Sequence, residues 1–199
     1  RTGDFTPDDW VLMWSAIEKN TETRIHVETG IRYVEDLRMK VQSQYDKGEC
    51  DVLVVDYLQL LNVKRKYAGD TERVGAVSRA LKQITIEFGI PVVALAQVNR
   101  KSAGGSSGRG ESLTANRRPT MNELRSSGEI EQDADTVILL HVPEEDNDET
   151  VKEEHRGMVK SLSNAGAKYM VAIIEKQRQG QTGRVRFIFE PKYMRFREI

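Results

Sequence analysis

Polar side chains follow three apolar runs that have the composition of buried strands. Asp56 follows "VLVV", Gln97 follows "VVALA", and Lys176 with Arg178 follow "VAIIE". In open α/β sheets, ligands bind beyond the carboxyl ends of the strands. A carboxylate there suits the water shell of Mg²⁺ beside phosphates, and a glutamine can sense a γ-phosphate or orient the attacking water. The spacing therefore predicts a nucleotide-phosphate site.

Each of these residues also has an ordinary structural explanation. Asp56 could cap a turn, Gln97 could satisfy loop backbone, and Arg178 taken alone is best explained as an exposed cation at a strand end. The occurrence of Asp56 and Gln97 at successive strand ends favours the phosphate site. The phosphate cradle G-x-x-x-x-G-K-[ST] does not occur in the 199 residues, because "GGSSGRGES" has no lysine after its glycines.

The elements that would position these residues are visible in the hydrophobic pattern. A helix is predicted to begin near Pro7, and the continuous apolar run Val52–Val55 predicts a strand covered on both faces. Strands alternating with helices favour an α/β fold, with a mostly parallel sheet between helices and an antiparallel carboxyl-terminal edge. The pattern further predicts helices over 31–45 and 71–88, strands over 90–96, 136–141, 170–175 and 185–189, and a hairpin turn over 179–183.

Composition limits the class of protein. An apolar fraction of 38% and a charged fraction of 31% in 199 residues suit one globular domain, 1–199. No apolar run approaches the roughly 20 residues of a membrane span, and a single cysteine fits a reducing, cytoplasmic setting. The net charge of −1 hides a basic carboxyl-terminal region. Within the domain we expect a mobile basic loop at 101–118 and an acidic excursion at 143–169.

Four blocks of sequence together resemble the carboxyl-terminal motor domain of DnaB-type replicative helicases. The blocks are "VLVVDYLQLL", "PVVALAQVNR", "RRPTMNELRSSGEIEQDADTVILL" and "VAIIEKQRQGQTGRVRFIF". They come in the order of the family and at plausible spacing. The resemblance implies a RecA-like three-layer fold that works as a homo-hexameric ring, with ATP and Mg²⁺ bound between neighbouring subunits.

The resemblance also assigns roles around the nucleotide. Asp56 matches the Walker B acid that holds Mg²⁺ through water, and Gln97 matches the residue that senses the γ-phosphate. Lys176 and Arg178 match a basic pair that reaches into the ATP of the neighbouring subunit, where a rigid guanidinium suits a developing phosphoryl charge. Arg195 lies where the family also has an arginine, and we expect it among the cofactor-binding residues.

The block "LRSSGEIEQDAD" matches the segment that holds single-stranded DNA in the central channel. By that match, Arg125, Ser126 and Gly128 would contact the sugar-phosphate backbone. Many family members have glutamate at position 126. Contacts to the DNA backbone need only hydrogen-bond donors and positive charge, and such contacts are independent of base sequence. The same residues are also typical of the capped start of a helix, which is compatible with DNA contact.

The family places its Walker A lysine and its catalytic glutamate upstream of the part that Arg1 matches. We therefore expect an amino-terminally truncated motor domain that, as a fragment, neither hydrolyses ATP appreciably nor unwinds DNA. The intact protein is expected to be an ATP-dependent replicative helicase in a bacterial or phage-infected cytoplasm, with primase and a helicase loader as partners. Two alternatives remain: another RecA-like ATPase such as a recombinase, and a non-catalytic module that binds DNA or a helicase partner.

Overall fold

The computed structural model describes residues 6–21, 25–98, 118–124 and 128–199. No helix in these ranges is long and apolar enough to cross a membrane. The elements in chain order are α1 (Pro7–Thr21), α2 (Val34–Tyr45), β1 (Leu53–Val55), α3 (Asp70–Phe88), β2 (Val92–Ala94), α4 (Met121–Leu124), α5 (Gly128–Asp133), β3 (Thr136–His141), α6 (Met158–Asn164), β4 (Lys168–Gln177), β5 (Gly183–Glu190) and β6 (Arg195–Glu198).

Helix α1 begins at Pro7, as predicted. The Thr6 N–H donates to Asp9 Oδ2 at 2.9 Å, and the Asp9 N–H donates to the Thr6 hydroxyl at 3.3 Å. These reciprocal bonds satisfy donors that the first turn leaves free, and those from Thr6 lower the pKa of Asp9. The side chains of Trp10 and Trp14 on this helix are exposed.

The strands form two sheets. β1 and β2 are parallel, with Val55 opposite Ala94. β3, β4, β5 and β6 form a four-stranded antiparallel sheet in that order, and the predicted turn over 179–183 falls between β4 and β5. The antiparallel part is larger than the predicted edge hairpin, because β4 pairs antiparallel with β3 as well as with β5.

Helix α3 shows the apolar stripe that its sequence predicts. It ends at Gly89, whose φ of +66° is a left-handed conformation that glycine adopts without steric cost, and whose N–H donates to the Thr85 carbonyl at 3.0 Å. The stripe packs with α2 against β1 in a first core cluster. Its buried members are Val74, Val77, Leu81, Ile84 and Phe88.

A second core cluster lies between the β3–β4 pair and helices α4 and α6. The inward residues of β3 alternate with outward ones, which is the pattern of a sheet covered on one face. The prediction that Val52–Val55 is covered on both faces is wrong for the described residues: Val54 is 59% exposed and Val55 is buried. The described helices α2 and α3 pack on the Val55 side of β1. Further outward apolar side chains are Val93, Leu95, Ile138 and Leu140.

The acidic excursion over 143–169 folds back onto the antiparallel sheet. His141 at the end of β3 shares a 2.8 Å hydrogen bond with Asp148, and Arg186 on β5 donates to the Thr150 carbonyl at 3.2 Å. Helix α6 lies within the excursion, and its Val159 is buried in the second cluster. The excursion is therefore attached to the sheet through buried polar and apolar groups.

Candidate nucleotide and nucleic-acid site

Asp56 directly follows the carboxyl end of β1, at the edge of the sheet where β2 also ends. The parallel pairing continues past both strands, since the Leu95 N–H donates to the Val55 carbonyl at 2.9 Å and the Leu58 N–H donates to the Leu95 carbonyl at 2.8 Å. The peptide between Asp56 and Tyr57 is cis. Asp56 is exposed, and within the described ranges no residue hydrogen-bonds its carboxylate. That carboxylate is therefore able to accept hydrogen bonds from water or from a hydrated metal ion.

Gln97 is held at the same edge by Gln59, a residue that was not among those predicted from the sequence. Gln59 donates through Nε2 to the Gln97 carbonyl at 2.9 Å and accepts the Gln97 N–H at 3.2 Å through Oε1. The Gln59 side chain thus satisfies both backbone groups of Gln97 and leaves the Gln97 side chain exposed. Its place three residues after Asp56 in "DYLQL" was the signal that could have identified it.

Lys176 and Arg178 form a second group, at the far end of β4. Lys176 Nζ donates to the Glu131 carbonyl, and Arg178 Nη2 donates to the Gln132 carbonyl at 2.6 Å. Both acceptors are in the last turn of α5, whose final carbonyls have no partner within the helix. The two cations therefore cap the carboxyl end of α5.

Asp135, just after α5, joins this second group. Its Oδ1 accepts from Arg178 Nη1 at 3.0 Å, and its Oδ2 accepts from Lys82 Nζ on α3 at 2.6 Å. The hydrogen bond from Lys82 holds the pKa of Asp135 below its ordinary value, with the nearby Arg178 charge acting in the same direction. Asp135 lies in the block "EQDAD", but the sequence pattern assigned it no role.

The remaining predicted residues lie apart from these two groups. Arg195 donates through Nε to Glu190 at 2.6 Å and lies 5.7 Å from the centre of the Tyr193 ring, within the β5–β6 hairpin. Gly128 is the first residue of α5. Arg125 and Ser126 lie outside the described residues, as does the predicted basic loop except for Arg118.

The predicted nucleotide residues thus form two clusters. Asp56 and Gln97 share one edge, Lys176 and Arg178 share the end of α5, and within the described part of the chain no hydrogen bond or ion pair links the clusters. The structure does not unite them into one pocket within a single chain.

The side chains of the first cluster meet some of the requirements of a hydrated Mg²⁺. Mg²⁺ prefers oxygen ligands and commonly uses one or two carboxylates with waters and substrate phosphates. The unpaired carboxylate of Asp56 matches that requirement, and the described residues contain no group of three or more His, Cys, Asp or Glu side chains that could hold a metal alone. The phosphate cradle is not in this sequence. Asp56 would therefore bind such an ion through water, beside phosphates held elsewhere.

Comparison with known families gives a match over almost the whole chain. The model of the DnaB-like helicase C-terminal domain matches residues 1–198. The replicative DNA helicase DnaB of Geobacillus stearothermophilus is 30% identical over 198 residues, which cover 98% of this chain and 38% of the relative. The replicative DNA helicase DnaC of Bacillus subtilis strain 168 is 31% identical over 199 residues, with the same coverage.

Solved structures agree with this match. One solved structure, described as an ATPase domain, superposes with a TM-score of 0.76 at 26% identity, covering 98% of this chain and 62% of that one. A DnaB-like replicative helicase, described with its interactions with primase, gives a TM-score of 0.72 at 26% identity, covering 98% of this chain and 42% of that one. The predicted RecA-like α/β fold is thereby confirmed. The chain spans 38% of the length of the two curated relatives, and it belongs to the DnaB-like helicase C-terminal domain family.

Proposed function

We propose that this chain is part of a replicative DNA helicase that couples ATP hydrolysis to translocation on single-stranded DNA and to duplex unwinding. The observation that carries the proposal is the separation of the predicted nucleotide residues into two clusters, Asp56 with Gln97 and Lys176 with Arg178. Two surfaces of one chain are what a site shared between neighbouring subunits requires. The names of the relatives favour a helicase over a recombinase or a non-catalytic binding module.

The first cluster would serve the nucleotide of its own subunit. Asp56 accepts hydrogen bonds from the water shell of Mg²⁺, and the exposed amide of Gln97 contacts the γ-phosphate. Asp56 would hold Mg²⁺ through water, and the ion would supply positive charge for phosphoryl transfer. The hydrogen bonds from Gln59 support this role, because they fix the backbone of Gln97 without occupying its side chain.

The second cluster would serve the nucleotide of the adjacent subunit in a homo-hexamer. The Arg178 side chain is 49% exposed, so its guanidinium is accessible to a phosphate from outside the chain. Lys176 adds a second positive charge at the same strand end. We propose Arg195 as a further cofactor contact, since it lies on an exposed strand at the other end of the antiparallel sheet.

Arg125, Ser126 and Gly128 would hold the sugar-phosphate backbone of single-stranded DNA. The start of α5 at Gly128 supports this assignment, because it places the segment directly before a helix. We propose primase and a helicase loader as partners; one of the solved relatives is described with its interactions with primase. Because the relatives are bacterial, we propose that the protein acts in the cytoplasm of a bacterial or phage-infected cell.

The test is the ATPase and unwinding activity of the full encoded polypeptide, with and without single-stranded DNA. We expect ATPase activity that DNA stimulates, and unwinding that requires ATP and Mg²⁺. Asp56→Asn is expected to lower kcat by about 100-fold or more, because an oriented carboxylate near the metal is lost. Asp51→Asn, which neutralises an exposed carboxyl near the start of the same strand, is the matched control and is expected to leave kcat within about twofold.

Several results would contradict the proposal. They are a full polypeptide without DNA-stimulated ATPase, an Asp56→Asn variant as active as the control, or strand exchange in place of unwinding. The 199-residue chain alone is expected to hydrolyse no appreciable ATP, since it contains no phosphate cradle.

A further inference from the structure

Helix α5 lies between the first core cluster and the end of β4. On one side, Ile130 is buried in the first cluster, and Glu129 forms an ion pair with Arg79 on α3. A Cβ at Gly75 on α3 would overlap with Glu129 Oε2, so the glycine leaves room for the Glu129 side chain. On the other side, the carboxyl end of α5 is bonded to the end of β4.

Hydrogen bonds to Gln132 and Asp135 fix the orientation of Arg178. Its guanidinium donates from Nη1 to Asp135 and from Nη2 to the Gln132 carbonyl, and its backbone N–H donates to the Asp135 carbonyl at 3.0 Å. An arginine side chain has five N–H donors in a rigid, planar fork. Two of them are used here, so three stay available for an anion from outside the chain.

We propose that Asp135 is a positioning residue that orients the Arg178 guanidinium at the carboxyl end of α5. This inference rests on the proposed function, in which Arg178 contacts the nucleotide of a neighbouring subunit.

The ion pair between Arg178 and Asp135 can orient the guanidinium because its geometry is specific, although it contributes little to stability. Both side chains of the Arg178–Asp135 pair are about half exposed, and exposed ion pairs contribute little to folding. Loss of the pair is therefore expected to leave the fold intact. It removes one of the two contacts that orient the guanidinium, while the bond to the Gln132 carbonyl in α5 keeps Arg178 nearby.

The test compares Asp135→Asn with Lys82→Met in the full encoded polypeptide. Asp135→Asn removes the charge that orients Arg178. Lys82→Met removes the other partner of Asp135 and leaves the contact with Arg178. We expect Asp135→Asn to lower kcat of the DNA-stimulated ATPase by up to about fivefold with little change in KM for ATP, Lys82→Met to keep the wild-type kcat, and Asp135→Glu to restore part of it.

The outcomes separate this inference from the proposed function. A wild-type polypeptide without DNA-stimulated ATPase overturns both. A stimulated wild type with an Asp135→Asn variant of equal kcat overturns the inference alone. An equal loss in Lys82→Met also overturns it, since the effect would then come from the link between α3 and Asp135.

A second measurement uses the full encoded polypeptide and needs no ATP. Amide hydrogen exchange is measured over α5 and at Arg178, whose N–H donates to the Asp135 carbonyl. We expect severalfold faster exchange in Asp135→Asn and wild-type exchange in Lys82→Met. Unchanged exchange in a folded Asp135→Asn chain overturns the inference, and so does a general acceleration that extends to the buried residues of α3.

Discussion

Gln59 holds both backbone polar groups of Gln97 with the two ends of its side-chain amide, at 2.9 Å and 3.2 Å. The two residues are 38 positions apart; Gln59 lies in the short 3-10 helix Leu58–Leu60 after β1, and Gln97 lies after β2. Such a pair fixes these two segments relative to each other. The position of the Gln97 side chain relative to Asp56 therefore depends on a residue that contacts neither a metal nor a nucleotide in the proposed site.

Replacement of Gln59 by leucine keeps the size of the side chain and removes both hydrogen bonds. We expect Gln59→Leu to lower kcat of the full polypeptide by about 10- to 100-fold, because a misplacement of about 1 Å at a reacting group has effects of that order. The KM for ATP is expected to change little. Gln42→Leu, which removes an exposed hydrogen bond to Asp46 on α2, is the control and should retain wild-type kinetics. Equal kinetics of the two variants would contradict the role of Gln59.

Helix α3 offers a matched pair of isoleucines for a test of the first core cluster. Ile84 is 1% exposed and Ile86 is 65% exposed. We expect Ile84→Ala to lower the free energy of unfolding by about 2–5 kcal/mol through lost burial and a residual cavity. Ile86→Ala is expected to change it by no more than about 0.5 kcal/mol. Urea denaturation of the 199-residue chain measures both, and similar midpoints would show that α3 does not pack as described.

The pair of His141 and Asp148 predicts a dependence of stability on pH. Burial raises the pKa of Asp148, but the hydrogen bonds from Thr150 and His141 outweigh it and lower the pKa below its ordinary value. A carboxyl whose pKa is lower in the folded state stabilises the fold at pH values above its unfolded pKa, about 3.9. That contribution is lost as the pH falls through the folded value.

Asp148→Asn is therefore expected to reduce the free energy of unfolding by about 1–3 kcal/mol at pH 7. The difference from wild type should shrink as the pH is lowered towards about 3, which denaturation curves at several pH values will measure. The exposed Asp51→Asn serves as the control for the removal of one charge. A difference between wild type and Asp148→Asn that stays constant across this range would contradict the assignment.

The local pattern was enough to predict the main helix and the presence of β1 and β2, although β2 covers only Val92–Ala94 of the predicted 90–96. The stripe from Val74 to Phe88 fixes which face of α3 is buried, and Gly89 marks its end, because both features depend on residues within a few turns of each other. Asp56 and Gln97 were proposed as site residues for the same reason. Each follows an apolar run that forms a strand almost regardless of its partners.

Other features depend on partners that the local pattern does not contain. Strand β6 is exposed along its whole length and exists through its pairing with β5. The one-sided burial of β1 reflects where α2 and α3 pack, which the run "VLVV" does not encode. The bond between Arg178 and Asp135 joins residues 43 positions apart, and it follows from the register of β3 and β4.

In the proposed function, Asp56 and Arg178 act on one nucleotide from two neighbouring subunits. The most direct test mixes two variants of the full polypeptide, Asp56→Asn and Arg178→Ala, each expected to be nearly inactive alone. In a mixed ring, a subunit with intact Asp56 can lie beside one with intact Arg178. In an equimolar mixture, up to about a quarter of the nucleotide sites have both an intact Asp56 and an intact Arg178. We expect DNA-stimulated ATPase activity to return to that extent. A mixture that stays as inactive as its two components would contradict the shared site.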